Sequence, residues 1–347
     1  MAVATVAPMT VGPDGTLPLP WLAQPLADAL AQQRGHALML HGAPGVGTLP
    51  FGLVLAQAWL CEGQGETAPR PCGRCGSCHL LQVHGHPDLF VLLPELLRRT
   101  LNWPLIDDKP EADDKKKPSR QIRIDEVRAA IDWVNKTSSR GRGKLLLIHP
   151  AEALNLQAAS ALLKTLEEPP AGTRVLLSTA DPANLLPTVR SRCQRLPLPA
   201  PAREEAVRWL VAQGVAGAEV LLAAASGRPL DAQALASDGV DAAAWTALPR
   251  TLAQGQGGQG APLAGWPVPR ALDALQKVCH DALAQAAGGS GRYFPAGSVP
   301  RGVSVAALVD WQRSLARVAR HDEHPWHEGL LLETLASEAR RALTITA

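Results

Sequence analysis

Four short apolar runs limit what this chain can fold into: residues 37–42 (ALMLHG), 87–93 (PDLFVLL), 145–149 (LLLIH) and 175–180 (VLLSTA). Each is strand-sized and too short for a buried helix, and helically spaced stretches at 49–60, 122–134 and 151–166 alternate with them. A strand buried on both faces reads as continuous apolar sequence, and such strands alternating with helices give an α/β fold with a mostly parallel sheet. A further helix is predicted over 21–33, with Pro25 near its first turn. After residue 198 the strand-like runs stop. Residues 202–245 and about 269–347 are rich in Ala, Leu and Val, and Gly-rich breaks lie at 254–269 and 288–300. A chain of 347 residues with 4% aromatics therefore reads as an α/β domain followed by helical domains.

The 34 basic and 32 acidic residues give a net charge of +2, which gives no support for a strongly polybasic binder and leaves room only for a local basic patch. No apolar run reaches the roughly 18 residues that a bilayer-crossing helix needs. The start of the sequence lacks a basic segment followed by an apolar core, so a cytoplasmic protein is expected. Residues 98–120 change character: 107–117 alone carry five acidic residues and four lysines. This segment is predicted to be an exposed, charged insertion.

The first apolar run opens into Gly42-Ala43-Pro44-Gly45-Val46-Gly47-Thr48, with a helix predicted to follow. Strand, glycine loop and helix N-terminus form the geometry that cradles phosphate. An active loop places lysine after the last glycine and then Ser or Thr for magnesium; here Thr48 and Leu49 stand there. The third run ends in His149-Pro150, where a nucleotide-hydrolysing protein would carry an acidic pair. Glu152 and Asp181 lie nearby in sequence but out of that register. Two separate losses predict a nucleotide-binding fold without hydrolysis.

Four of the six cysteines cluster: Cys61, then Cys72, Cys75 and Cys78 at two-residue gaps. That spacing can turn four thiolates onto one ion, and a closed tetrahedral sulfur shell suits structural zinc. An iron–sulfur cluster is the chemical alternative, and His79, His84 or His86 could replace a thiolate. Few basic residues flank the cluster (Arg70, Arg74) and no aromatics interleave, so a stabilising clip or a protein contact is favoured over a nucleic-acid finger. Cys193 and Cys279 stand alone, and Cys193 is expected to pack.

Several blocks together resemble the delta-prime family of bacterial DNA polymerase III clamp-loader subunits. They are HGAPGVGT at 41–48, the cysteine cluster followed by HPDL at 86–89, IRIDEVRAAIDWV at 122–134, ALLKTLEEPP at 161–170 and LLSTADPANLLPTVRSRCQRLPL at 176–198. The resemblance spans most of 36–198; the remainder is similar only in length and helical character. It implies an AAA+ type P-loop domain over 1–198 with a zinc module at 61–78, a helical lid over 199–250 and a helical collar over 251–347. It implies a subunit that does not hydrolyse ATP, in a pentamer with tau/gamma ATPase subunits and a delta subunit, loading the sliding clamp on primed DNA. ATP would sit only at the neighbouring subunit. Ser191-Arg192-Cys193 is similar to the family's Ser-Arg-Cys motif, which implies that Arg192 acts in trans as an arginine finger. Thr179 matches a position that senses nucleotide in active relatives; here it is expected to be a hydrogen-bonding core residue. Lys164, Glu167 and Glu168 are expected near Arg192 on a polar intersubunit surface. The other readings are an active ATPase of the tau/gamma type, or a zinc-bearing nucleic-acid-binding protein with a vestigial loop.

Overall fold

The computed structural model describes residues 9–32, 35–63, 70–104, 117–255, 263–320 and 327–344. The chain divides into two compact units, Met1–Glu205 and Ala206–Ala347. In chain order the first contains α1 (Ala23–Gln32), β1 (Ala37–His41), α2 (Thr48–Leu60), α3 (Gly76–Gln82), β2 (Leu89–Leu92) and α4 (Glu95–Thr100). It continues with α5 (Ile124–Val134), β3 (Lys144–Ile148), α6 (Leu156–Glu167), β4 (Thr173–Thr179), α7 (Pro187–Arg190) and β5 (Gln194–Pro197).

The strands form one sheet in the order β2-β3-β4-β1-β5, every pair parallel. The expected α/β architecture is present. Its register sets Leu38 beside Leu176 and Leu146 beside Val175, all essentially buried. Helices α5 and α6 pack together on one face, where Val127, Ala130, Leu162 and Leu166 join the strand side chains in one core. The order puts β1 between β4 and β5, so the loop after β1 opens beside the C-terminal ends of both neighbours. Ligands bind at such crevices in open parallel sheets.

Three local readings need correction. The helix expected over 151–166 is broken: Ala151–Ala153 is a 3-10 turn and α6 starts only at Leu156. Ile122 pins the turn, its N–H donating to Ala153 O at 2.8 Å, and Asn155 caps α6 by accepting from Ala158 N at 2.8 Å. The fifth strand went unforeseen because QRLP is polar. It is a sheet edge that buries only Leu196, and an edge tolerates Pro197. The expected insertion begins with structure: α4 spans Glu95–Thr100, and Trp103 is buried and stacked on His84 at 4.0 Å. Residues 105–116, which hold most of its charges, lie outside the described residues.

α8 (Arg203–Ala212) spans the junction between the units. The second unit is helical: α9 (Ala218–Ala224), α10 (Pro229–Ser237), α11 (Ala242–Gln254), α12 (Val268–Ala286), α13 (Val305–Ala319) and α14 (Glu328–Leu343). Trp245 is fully buried in it and stacks on Phe294 at 5.0 Å. Buried Asp281 accepts the N–H groups of Arg292, Tyr293 and Phe294 at 2.8–2.9 Å, which fixes the Gly-rich break at 288–300 against α12. Among the described residues no helix is long and apolar enough to cross a membrane.

Candidate functional site

The glycine loop turns tightly between β1 and α2. Gly42 N–H donates to Thr179 O, and Leu198 N–H to His41 O, at 3.3 and 2.8 Å, so the loop is hung between β4 and the end of β5. A Cβ at Gly42 would lie 2.7 Å from Leu198 O, so only glycine fits. Gly45 and Gly47 have φ of 72° and 102°, and Gly47 is the N-cap of α2. Trp21 holds the loop from outside, its indole N–H donating to Val46 O at 2.8 Å.

The loop and the end of β3 carry no side-chain cation or carboxylate at the positions singled out in the sequence. Thr48 is half-buried at the lysine position and has no charge; Leu49, at the magnesium position, is 6% exposed. His149 follows β3, with Nδ1 2.6 Å from Ser178 Oγ. Burial pushes its pKa down to about 4, so at neutral pH it is an uncharged imidazole and no magnesium carboxylate. Thr179 is buried and donates to Glu152 Oε1 at 2.5 Å; the same oxygen accepts Ala180 N–H at 2.6 Å and Asp181 N–H at 3.0 Å. Glu152 therefore caps the end of β4.

Arg192 lies just past α7. Its Nε donates to Glu167 Oε1 at 2.6 Å and Nη1 to Thr188 O at 2.8 Å. Glu167 is the last residue of α6, so the LEEPP and SRC segments meet at this ion pair. Lys164 and Glu168 are exposed nearby in sequence. Ser191 Oγ donates to Thr188 O at 3.1 Å. Cys193 is buried in the core, and burial pushes its thiol up to about 11, which marks it as packing. The side chains of Arg192 and Glu167 are 32% and 49% exposed, so water screens the pair and its net worth is about 0–1 kcal/mol. The guanidinium is held in place yet is cheap to release.

The sulfurs of Cys61, Cys72, Cys75 and Cys78 all lie within 4.8 Å of one another. Cys61–Cys75 and Cys72–Cys78 are each 3.9 Å apart. A tetrahedron with Zn–S bonds of ~2.3 Å has edges of about 3.8 Å, so the group can hold a metal ion of that kind. Backbone N–H groups of Glu62, Gly63, Cys72, Cys75 and Cys78 point at the sulfurs at 3.3–3.5 Å, which favours thiolate charge. Helix α3, unforeseen in the sequence, carries Cys78 and is capped by Cys75.

The histidines stand elsewhere. His79 is exposed and His84 stacks on Trp103. His86 accepts Asp88 N–H at Nδ1 (3.0 Å), so Nε2 bears the proton and donates to Ser77 Oγ at 2.7 Å. HPDL is thus the tie between α3 and β2. Fully buried Asp88 accepts from Ser138 Oγ, Ser139 N–H and Arg140 N–H at 2.7–2.9 Å, and Arg140 makes a two-pronged contact to Glu62 at 2.7 and 2.8 Å. Sequence reading missed this Asp88–Arg140–Glu62 link because its members are 26 or more positions apart.

A family model described as DNA polymerase III, delta subunit, matches residues 21–202, just over half of the chain. The chain belongs to this family. The match covers the sheet, the glycine loop, the cysteine group and Arg192. A subunit delta' of DNA polymerase III from Pseudomonas aeruginosa is 38% identical over 212 residues, 60% of this chain and 58% of that protein. A DNA polymerase III subunit tau from Salmonella typhimurium is 31% identical over 194 residues, 52% of this chain and 26% of that protein. A solved DNA polymerase III gamma subunit-related protein from Thermotoga maritima covers 92% of this chain and 98% of its own, with 18% identity and a TM-score of 0.47. The chain thus spans less than two thirds of the length of the curated relatives it matches.

Proposed function

We propose that this family member is the non-hydrolysing delta-prime type subunit of a DNA polymerase III clamp loader. It assembles with tau/gamma ATPase subunits and a delta subunit and helps to place a sliding clamp on primed DNA. The observation that carries the reading is the phosphate loop: its backbone is kept, while Thr48, Leu49 and neutral His149 leave it without lysine, magnesium hydroxyl or acid. Residues 199–250 serve as a lid and 251–347 as a collar for assembly. A zinc ion on Cys61, Cys72, Cys75 and Cys78 clips the first unit and performs no chemistry. The protein works in the cytoplasm.

Arg192 acts in trans. Its fixed positive charge and planar fork of donors stabilise charge on the γ-phosphate of ATP held by a neighbouring ATPase subunit. Its exchangeable contact with Glu167 supports that role. The test is DNA-stimulated ATP turnover by the reconstituted loader, wild type against Arg192→Ala, with assembly checked by size. A sharp loss of turnover in an intact complex is expected, while the isolated chain turns over no ATP. Unchanged turnover in an intact complex would overturn the finger, and magnesium-dependent turnover by the isolated chain would overturn the non-hydrolysing reading.

A further inference from the structure

Glu152 lies in the 3-10 turn Ala151–Ala153 that follows β3. The turn is pinned, with Ile122 N–H donating to Ala153 O at 2.8 Å and Leu154 N–H to Ala151 O at 3.2 Å, so the side chain rises from a fixed base. Its hydrogen bonds all run to the point where the chain leaves β4. Oε1 accepts from Thr179 Oγ1, Ala180 N–H and Asp181 N–H at 2.5–3.0 Å, and Oε2 is buried with no partner among the described residues. Hydrogen bonds to a carboxylate are roughly twice as strong as those between neutral groups, so three donors on one oxygen hold residues 179–181 firmly.

Those residues begin the segment that ends at Arg192. Asp181 Oδ1 accepts Ala183 N–H at 2.9 Å and caps the 3-10 turn Pro182–Asn184. Arg190 Nη1 donates to Pro182 O at 3.4 Å, which ties the end of α7 back to that turn. Arg192 N–H donates to Val189 O at 3.2 Å, so its backbone continues directly from α7. A three-residue turn and a four-residue helix are too short to hold their own shape, and their position comes from anchors. Leu185 and Val189 anchor the segment in the core, and Glu152 anchors its entry. We infer, on the reading of Arg192 as a finger in trans, that Glu152 is a positioning residue for it. By fixing residues 179–181, the carboxylate sets the direction in which the Arg192 segment leaves the sheet, and so where the guanidinium stands towards a neighbour's nucleotide. A group misplaced by about 1 Å can cost on the order of 100-fold in rate.

The test is DNA-stimulated ATP turnover of the reconstituted loader at varied ATP, with assembly checked by size, for wild type, Glu152→Ala, Glu152→Gln, Arg192→Ala and the double variant Glu152→Ala/Arg192→Ala. Glu152→Ala is expected to lower kcat by about 10- to 100-fold with KM for ATP unchanged. Glu152→Gln keeps an acceptor oxygen at the same reach and is expected to retain most of kcat. The double variant is expected to match Arg192→Ala, since a misplaced finger and an absent one fail alike, whereas a general loosening of the fold would add its own loss. Wild-type kcat for Glu152→Ala beside an impaired Arg192→Ala would overturn the positioning role and leave the finger standing. Wild-type turnover for Arg192→Ala in an intact complex would overturn both. A double variant slower than Arg192→Ala, a Glu152→Gln as impaired as Glu152→Ala, or a Glu152→Ala chain that fails to assemble would assign Glu152 to the stability of the unit and overturn the positioning role.

Discussion

If Arg192 must leave Glu167 to reach a nucleotide on a neighbour, then Glu167→Gln should help rather than harm. The pair has good geometry, Nε to Oε1 at 2.6 Å, but it is screened, with side chains 32% and 49% exposed. Such pairs are worth about 0.2–1 kcal/mol. At 1.36 kcal/mol per tenfold, releasing the guanidinium should raise loader turnover by about 1.4- to 5-fold. Arg192→Ala should cost on the order of 10³–10⁵, the range measured for arginine fingers elsewhere. The double variant should match Arg192→Ala, because Glu167 then has nothing to restrain. Both single variants should lower the urea-unfolding stability of the isolated chain by no more than about 1 kcal/mol. The assay is DNA-stimulated ATP turnover of the reconstituted complex at saturating ATP. A fall in turnover for Glu167→Gln comparable to that for Arg192→Ala would refute the reasoning, since Glu167 would then be holding the arginine in its working position.

Other outcomes follow from the first unit. His149 has its folded pKa pushed from 6.5 to about 4 by burial, so the unfolded chain binds more protons between those values. Stability from this group is therefore full above about pH 6.5 and falls by up to about 3 kcal/mol as pH drops to 4; His149→Asn should flatten that limb in urea titrations run against pH. Asp88→Asn keeps the volume but loses acceptor strength for Ser138, Ser139 and Arg140, and should cost about 2–4 kcal/mol on denaturant unfolding. Cys78→Ser should lower bound zinc below one equivalent per chain by metal analysis and reduce the melting temperature; a wild-type chain that melts identically with and without chelator would contradict a structural metal.

The parallel α/β sheet was legible because its strands are continuous apolar runs, and burial on both faces leaves no other composition for them. The glycine loop was legible for a related reason: it is a short run of fixed spacing, and Gly42, Gly45, Gly47, Thr48 and Leu49 can be read in line. The cysteine group was legible as a four-thiolate metal site, with the nearby histidines left as possible substitutes. Only the fold took His84 to Trp103 and His86 to Ser77 and left four sulfurs facing one another. β5 was hidden because an edge strand buries one face and carries little apolar signal. The break at Asn155 was hidden because a distant residue, Ile122, enforces it.

The sequence by itself thus determined four of the five strands and the presence of a thiol cluster, all properties of neighbouring residues. The tertiary structure alone decided what touches what across the chain: Arg192 on Glu167, Glu152 on Thr179 and Asp88 on the 138–140 turn. Hydrogen bonds and ion pairs act over about 3 Å, and only folding brings groups tens of positions apart within that range.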